Sequence, residues 1–272
     1  MNILVVLENN TGTLHRLSLE AIVGSQKLGE SVSVLLIGEG AEGIINQLKN
    51  YDLEKIITVK HELLASYNAD GYSETVKQVA LSISPNVITA GHTYQTRDYM
   101  PRVSAKLGAP FIPDVIAANG NGYTKQILNA KLNAEISTSS ELFILSFQSA
   151  TFSEDDLRPG SCEVESFHVE LDSNIVRSVT EEPFQEEQGD VDLESADVLI
   201  SVGRGIEKEE NVPLAFALAI KIGAEVSASR PIVDSGWIET FRQVGSSGSN
   251  VAPKLYFSLG ISGAIQHVVG MK

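Results

Sequence analysis

Between Asn2 and Leu107 the chain alternates between two kinds of apolar pattern. Runs near Ile3–Leu7, Val32–Ile37, Lys55–Val59 and Asn86–Ala90 read as strands, and the segments near Leu17–Leu28, Ala41–Leu48, Tyr72–Ile83 and Asp98–Leu107 read as helices. Repeated βαβ units predict a mostly parallel sheet covered on both faces. No GxGxxG follows the first strand, where Asn9-Asn10-Thr11-Gly12-Thr13 stands instead, so an NAD-type dinucleotide turn has little support. His92, Thr93 and Arg97 follow the fourth strand, where loops often carry function. They read either as ligand or partner contacts or as a solvated loop.

After Pro113 the rhythm changes. Asn119-Gly120-Asn121-Gly122 and the runs Tyr123–Leu128, Leu142–Phe147 and Val164–Leu171 predict antiparallel strands joined by tight turns. From Thr180 to Glu194 the chain reads TEEPFQEEQGDVDLE, with seven acidic residues, one Pro and one Gly. This is the expected domain boundary, read as a solvated linker or as an interaction segment. The division is therefore an N-terminal α/β domain over 1–180, an acidic linker over 181–194 and a second domain over 195–272. That domain opens with a strand, Ala196–Val202, ending in Gly203-Arg204-Gly205. Asn211 can cap the next helix, Pro213 lies in its first turn, Leu214, Leu218 and Ile222 belong to its apolar face, and Gly223 stops it.

Composition excludes several functions. At 272 residues and 43% hydrophobic content the chain can bury a sizeable core. A net charge of −15 opposes nucleic acid and anionic membrane surfaces, since counterion release needs clustered Lys and Arg. The single cysteine, Cys162, rules out an internal disulfide and a Cys-based zinc cluster, fits a reducing compartment, and reads as a small packed side chain. Met1–Glu8 lacks a basic start and reads as a strand rather than a targeting segment. No apolar stretch approaches the ~18 residues of a membrane span, so the expectation is a soluble cytoplasmic protein without membrane insertion. No nucleophile with a paired base and no metal-ligand cluster stands out, which suits a carrier better than a hydrolase.

The stretch Ser227–Met271 gathers the chemistry. Ala224–Ser229 and Leu255–Leu259 are strand-like runs, each followed at once by Gly, Ser or Arg, which places a site at strand C-termini. Gly245-Ser246-Ser247-Gly248-Ser249-Asn250 offers backbone N–H groups and hydroxyls to a polar ring edge or a phosphate, or is a flexible turn. Gly260-Ile261-Ser262-Gly263-Ala264 leads from strand into helix, where N–H groups and the helix dipole favour an anion. Ser262 is otherwise an N-cap.

Ser229-Arg230-Pro231, Gln243-Val244-Gly245, Gly260-Ile261-Ser262-Gly263-Ala264-Ile265-Gln266-His267 and Gly270-Met271-Lys272, with Gly203-Arg204-Gly205-Ile206 upstream, resemble in order and spacing the FAD-binding domain of the electron transfer flavoprotein alpha subunit. Pro101–Leu107 extends the likeness more weakly into the N-terminal part. The resemblance implies a doubly wound flavin-binding domain, here shorter than the ~100 residues such a sheet needs, so a fragment or a domain completed by a partner is expected. It also implies a one-electron carrier that holds FAD and pairs with a beta subunit able to hold AMP. The carrier would take electrons from flavin dehydrogenases such as acyl-CoA dehydrogenases and deliver them to a membrane quinone oxidoreductase. The alternatives are a flavin-dependent oxidoreductase acting on a small substrate and a nucleotide-binding regulatory module.

By the same resemblance Arg230 stabilises the reduced ring. Its guanidinium stays charged and can lie against a ring face, where a surface ion pair is the plainer reading. Ser247 faces flavin N5. His267 tunes the potential from beside the C2 carbonyl, against a purely structural reading. Ser229, Gln243, Val244, Gly245, Gly260, Ser262, Gly263, Ala264 and Gln266 complete the set of cofactor contacts. Ser249 stands where the family often has Lys.

Overall fold

A computed structural model describes residues 1–10, 12–119, 122–128, 130–178, 180 and 191–271. Thr11, Gly120 and Asn121 of the expected turns, 181–190 of the expected linker, and Lys272 lie outside the described residues. The chain divides into two compact units, Met1–Gln126 with Asn133–Pro183, and Ile127–Leu132 with Phe184–Lys272.

The first unit begins with β1 (Asn2–Leu7), a short antiparallel ribbon of β2 (Asn9–Asn10) and β3 (Thr13–Leu14), and helix α1 (Arg16–Leu28). There follow β4 (Ser31–Ile37), α2 (Glu42–Leu48), β5 (Lys55–Val59), α3 (Ala69–Ile83), β6 (Val87–Gly91) and α4 (Tyr94–Leu107). Then come β7 (Phe111–Asn119), β8 (Gly122–Ile127), β9 (Leu132–Ile136), β10 (Phe143–Phe147) and β11 (Glu163–Ser166). The sheet runs β11-β5-β4-β1-β6-β10-β7-β8-β9. Strand β1 pairs in parallel with both β4 and β6.

Its residues alternate between two cores. Ile3, Val5 and Leu7 join Ile22 of α1 and Ile44 and Leu48 of α2, whereas Leu4 and Val6 join Val76 and Val79 of α3 and Met100 and Val103 of α4. Burial on both faces is what a parallel sheet requires, and it explains why β1 shows no polar alternation. The pairings correct the reading of Leu142–Phe147 and Val164–Leu171 as antiparallel. Strand β10 pairs in parallel with β6 and β7, and β11 pairs in parallel with β5. All five residues of β10 are buried, the mark of an inner parallel strand. Among the pairings described, β7 with β8 is antiparallel as expected.

At the expected loop after β6, Thr93 caps α4 by accepting from the Thr96 amide, and His92 Nδ1 lies 2.8 Å from Ser146 Oγ. Arg97 stacks over Tyr94. Cys162 is a half-buried packed thiol, and burial pushes its pKa up. No helix among the described residues is long and apolar enough to cross a membrane.

The second unit contains β12 (Val198–Val202), α5 (Val212–Ile222), β13 (Glu225–Ala228), α6 (Arg230–Asp234), β14 (Leu255–Leu259) and α7 (Ile265–Val268). Strand β12 is central and pairs in parallel with β13 on one side and β14 on the other. Ile200 and Val202 face α5, and Leu199 faces a smaller cluster with Val244, Val251 and Tyr256. Gly223 ends α5 at φ +67°, as expected of a C-terminal glycine.

Two expectations for α5 are corrected. Asn211 holds the N-cap position but makes no cap bond, because its amide donates to Ile206 O at 2.7 Å. The buried face is Val212, Ala215 and Ala219, not Leu214, Leu218 and Ile222, which are exposed. Small residues let the helix lie close to the sheet.

One buried charge in the first unit has a pH consequence. Glu20 of α1 is 2% exposed and its Oε1 lies 3.9 Å from Arg16 Nε. Burial outweighs Arg16 and the amides of Phe152, Ala150 and Thr151, raising its pKa from 4.5 to about 7. Below pH 4.5 the carboxyl holds its proton in both folded and unfolded chains. As pH rises the unfolded chain ionises first, so stability falls between pH 4.5 and about 7 and stays lower above. Glu20→Gln is expected to exceed the wild type by roughly 2–3 kcal/mol at pH 8 and to match it near pH 4 in urea unfolding. Equal stabilities at pH 8 would contradict the assignment.

Candidate cofactor site

The C-terminal ends of the three parallel strands of the second unit converge. Beyond β12 come Gly203 and Arg204, beyond β13 come Ser229 and Arg230, and beyond β14 comes Gly260–Ala264. The Ser229 amide donates to Val202 O at 2.9 Å and the Gly203 amide to Leu259 O at 2.8 Å, which locks the loop bases together. The loops after β12 and β14 approach so closely that a Cβ at Gly203 would stand 2.5 Å from Gly260 O, and one at Gly260 2.6 Å from Ile206 N. Only glycine fits there.

Between these loops opens a pocket of about 380 Å³, within the ~300–1,000 Å³ typical of small-molecule sites. Ten of the expected contacts line it: Ser229, Arg230, Gln243, Val244, Gly245, Ser247, Ser262, Ala264, Gln266 and His267. Gly260 and Gly263 do not. Gly260 is occupied in the close approach just described, and Gly263 turns the chain at φ +74°. The pocket adds Arg204, Pro231, Asp234, Ser246 and Ile261.

The loop after β13 is held by Arg242. Its side chain is 13% exposed, donates to Val226 O at 2.7 Å, pairs with Glu225 and Glu239, and stacks on Phe216 and Phe241. This fixes Gln243 and Val244, and the Val244 amide donates to Ala228 O. Gly245 then turns at φ +135°, where a Cβ would stand 2.5 Å from Gln266 O. The expected supply of free N–H groups from 245–250 is corrected here for four of its residues. The amides of Gly245, Ser246, Gly248 and Ser249 are given to Ser249 O, Gln266 O, Gly245 O and Gln243 O. The loop holds its own shape with them, and its side-chain hydroxyls remain for a ligand. Gln243 Nε2 donates to Ser247 Oγ at 2.9 Å, so the Ser247 O–H proton is left to donate elsewhere.

Ser262 does not cap a helix. The N-cap position of α7 is Ala264, without a side-chain bond, and the helix has four residues, too few for a strong dipole. Arg230 is 66% exposed at the pocket, with Nε 3.4 Å from Asp234 Oδ2.

His267 is 5% exposed. Its Nδ1 lies 3.0 Å from Val244 O and its Nε2 2.8 Å from Tyr256 Oη. A carbonyl can only accept, so Nδ1 carries the proton and Nε2 accepts from the tyrosine. Burial pushes the imidazole pKa down and the bond to Val244 O partly restores it. The ring is thus neutral at neutral pH and ties α7 to the Val244–Gly245 turn.

An aromatic in a strand reads as core, so the sequence does not mark Tyr256 as a partner of His267; their spacing across one strand-to-helix turn is the available signal. Burial raises the Tyr256 pKa. Among the described residues no His, Cys, Asp and Glu group forms a metal site.

The arrangement defines an α/β cofactor-binding domain, with its ligand pocket at the C-terminal edge of a parallel sheet. Residues 192–272 match the family model described as the electron transfer flavoprotein FAD-binding domain, and 3–172 match the electron transfer flavoprotein domain. Protein FixB of Clostridium saccharobutylicum is 31% identical over 279 residues, covering 98% of this chain and 83% of its own. The electron transfer flavoprotein subunit alpha of Bacillus subtilis is 31% identical over 279 residues, covering 99% and 84%. The probable mitochondrial alpha subunit of Caenorhabditis elegans is 32% identical over 272 residues, covering 99% and 81%. The chain belongs to the electron transfer flavoprotein family, with the alpha subunits, and its second unit is an FAD-binding domain. Two guanidiniums, a set of hydroxyls and a glycine-tight loop fit a ligand that joins a polar ring to phosphates.

Tyr256→Phe removes the O–H donated to Nε2 and with it a bond that favours the neutral ring. The His267 pKa is expected to rise toward the ordinary ~6.5, read by NMR titration of its ring protons. An unmoved or lower pKa would show that the tyrosine is not the partner.

Proposed function

We propose that the chain is the FAD-holding alpha subunit of a two-subunit electron carrier. Its partner is a beta subunit able to hold AMP. It takes electrons from flavin dehydrogenases, acyl-CoA dehydrogenases among them, and passes them singly to a membrane quinone oxidoreductase. Its single cysteine fits a reducing, cytoplasmic setting. It transforms no substrate of its own.

Bound FAD supplies reversible electron uptake, and the residues around the pocket set how readily it does so. The observation that carries the reading is Arg230. Its guanidinium is exposed toward a pocket in a protein of net charge −15, whereas Arg242 nearby is spent on structure. A fixed cation there offsets negative charge gained by a ring on reduction, and Arg can lie flat against it. Ser247, with Oγ engaged by Gln243, presents a donor suited to a ring nitrogen. Ser229, Gln243, Val244, Gly245, Ser262, Ala264 and Gln266 supply the remaining contacts, with Gly260 and Gly263 shaping the loop that carries them. His267 contributes by holding the Val244–Gly245 turn, so its influence on the cofactor is exerted as a neutral, hydrogen-bonded ring.

Coexpression with a beta subunit and visible spectroscopy test the reading. The purified complex is expected to carry FAD, and Arg230→Ala is expected to lower the midpoint potential of the bound flavin in a dye-referenced reductive titration. A colourless complex after reconstitution with FAD, or a potential indifferent to Arg230, would overturn it.

A further inference from the structure

Helix α6 opens on Arg230 and closes on Asp234, 5 residues in all. That order is the less favourable one for an i, i+4 pair, which prefers the acid N-terminal to the base. With side chains 66% and 62% exposed, the pair adds little to stability. Stability therefore does not account for it.

What the two side chains share is the pocket, which both line. The Asp234 carboxylate meets Arg230 at Nε, the inner nitrogen, which leaves both terminal nitrogens of the guanidinium for a ligand. Beside them lie Pro231, in the first turn of the helix, and Ser235, whose hydroxyl donates to Pro231 O at 2.8 Å and so takes no part in the pair. Arg204 is the second cation of the pocket, and His267 is neutral. The charged residues lining the pocket are thus two guanidiniums and one carboxylate.

We propose that Asp234 is the counter-ion that moderates Arg230, lowering the positive potential that the pocket presents to the cofactor. The inference rests on the flavin reading of the same site. In water the pair is screened, but a ligand filling the pocket removes that water and strengthens the field of each charge. The carboxylate then opposes the stabilisation that Arg230 gives to a ring gaining negative charge. The pocket thereby sets a potential below the one that two unopposed arginines would impose.

Asp234→Asn separates charge from shape, because the amide oxygen still accepts from Nε. The FAD-loaded complex is titrated reductively against a reference dye, in wild type, Asp234→Asn, Asp234→Glu and Arg230→Ala. At a fixed dye poise the ratio of reduced to oxidised flavin is expected to rise about tenfold or more in Asp234→Asn, as expected from removing one charge within ~10 Å of the ring at an effective dielectric constant of about 20. Asp234→Glu should restore the wild-type ratio. A fall of the ratio in Arg230→Ala, with no rise in Asp234→Asn, overturns this inference and leaves the flavin reading standing. No change in Arg230→Ala overturns the flavin reading itself. A rise in Asp234→Asn that Asp234→Glu reproduces also overturns the inference, since the charge would then not be the cause.

Discussion

Two backbones meet at the heart of the site, and the pocket depends on that contact. The Gly205 amide donates to Gly260 O at 2.8 Å, beside the bond from Gly203 to Leu259 O. A side chain on Gly203, Gly205 or Gly260 would fall within 3 Å of the opposing main chain. Because parallel pairing sets β13 and β14 on either side of β12, all three strands end at one edge. The glycines let the first and third loops close on each other, while Ser229 is pinned to Val202 O from the second. A wall of fixed backbone results, and the variable chemistry is hung from it as side chains.

Arginine is used in two ways within a few residues. Arg242 is buried in partners on every side and acts as a strut for the 239–244 turn. Arg230 has one carboxylate at one nitrogen and is otherwise open. A guanidinium exposed at a concave site keeps its charge available, and a surrounding acidic protein makes that charge locally distinctive. His267 follows the opposite principle. Its two nitrogens are both engaged, so it acts as a fixed joint.

Much of this was legible in the residues. Lys55–Val59 and Leu255–Leu259 begin and end where the apolar runs do, since each is a short run bounded by polar or glycine turns. The βαβ rhythm of the first unit follows from period alone, whereas strand direction does not. Leu142–Phe147 reads as antiparallel beside tight turns, whereas the burial of all five residues of Phe143–Phe147, Ser146 included, marks an inner parallel strand. Helix α5 misled for a related reason. It carries large apolar residues on most of its surface, and the sheet selects the alanine face. At the site, residue types named most of the pocket, because Gly, Ser and Arg directly after strands are costly without a use. What they could not show was how the hydrogen bonds are spent. The amides of Gly245, Ser246, Gly248 and Ser249 look free in sequence and are consumed by the fold, and Tyr256 and Asp234 gain meaning only from what they touch.

The most direct test of the account is a crystal structure of the FAD-loaded complex with its beta subunit. The isoalloxazine ring should lie between the loops after β12, β13 and β14, with the Arg230 guanidinium in van der Waals contact with it and the Ser247 hydroxyl pointing at a ring nitrogen. A ring seated elsewhere, with Arg230 turned to bulk solvent, would contradict it.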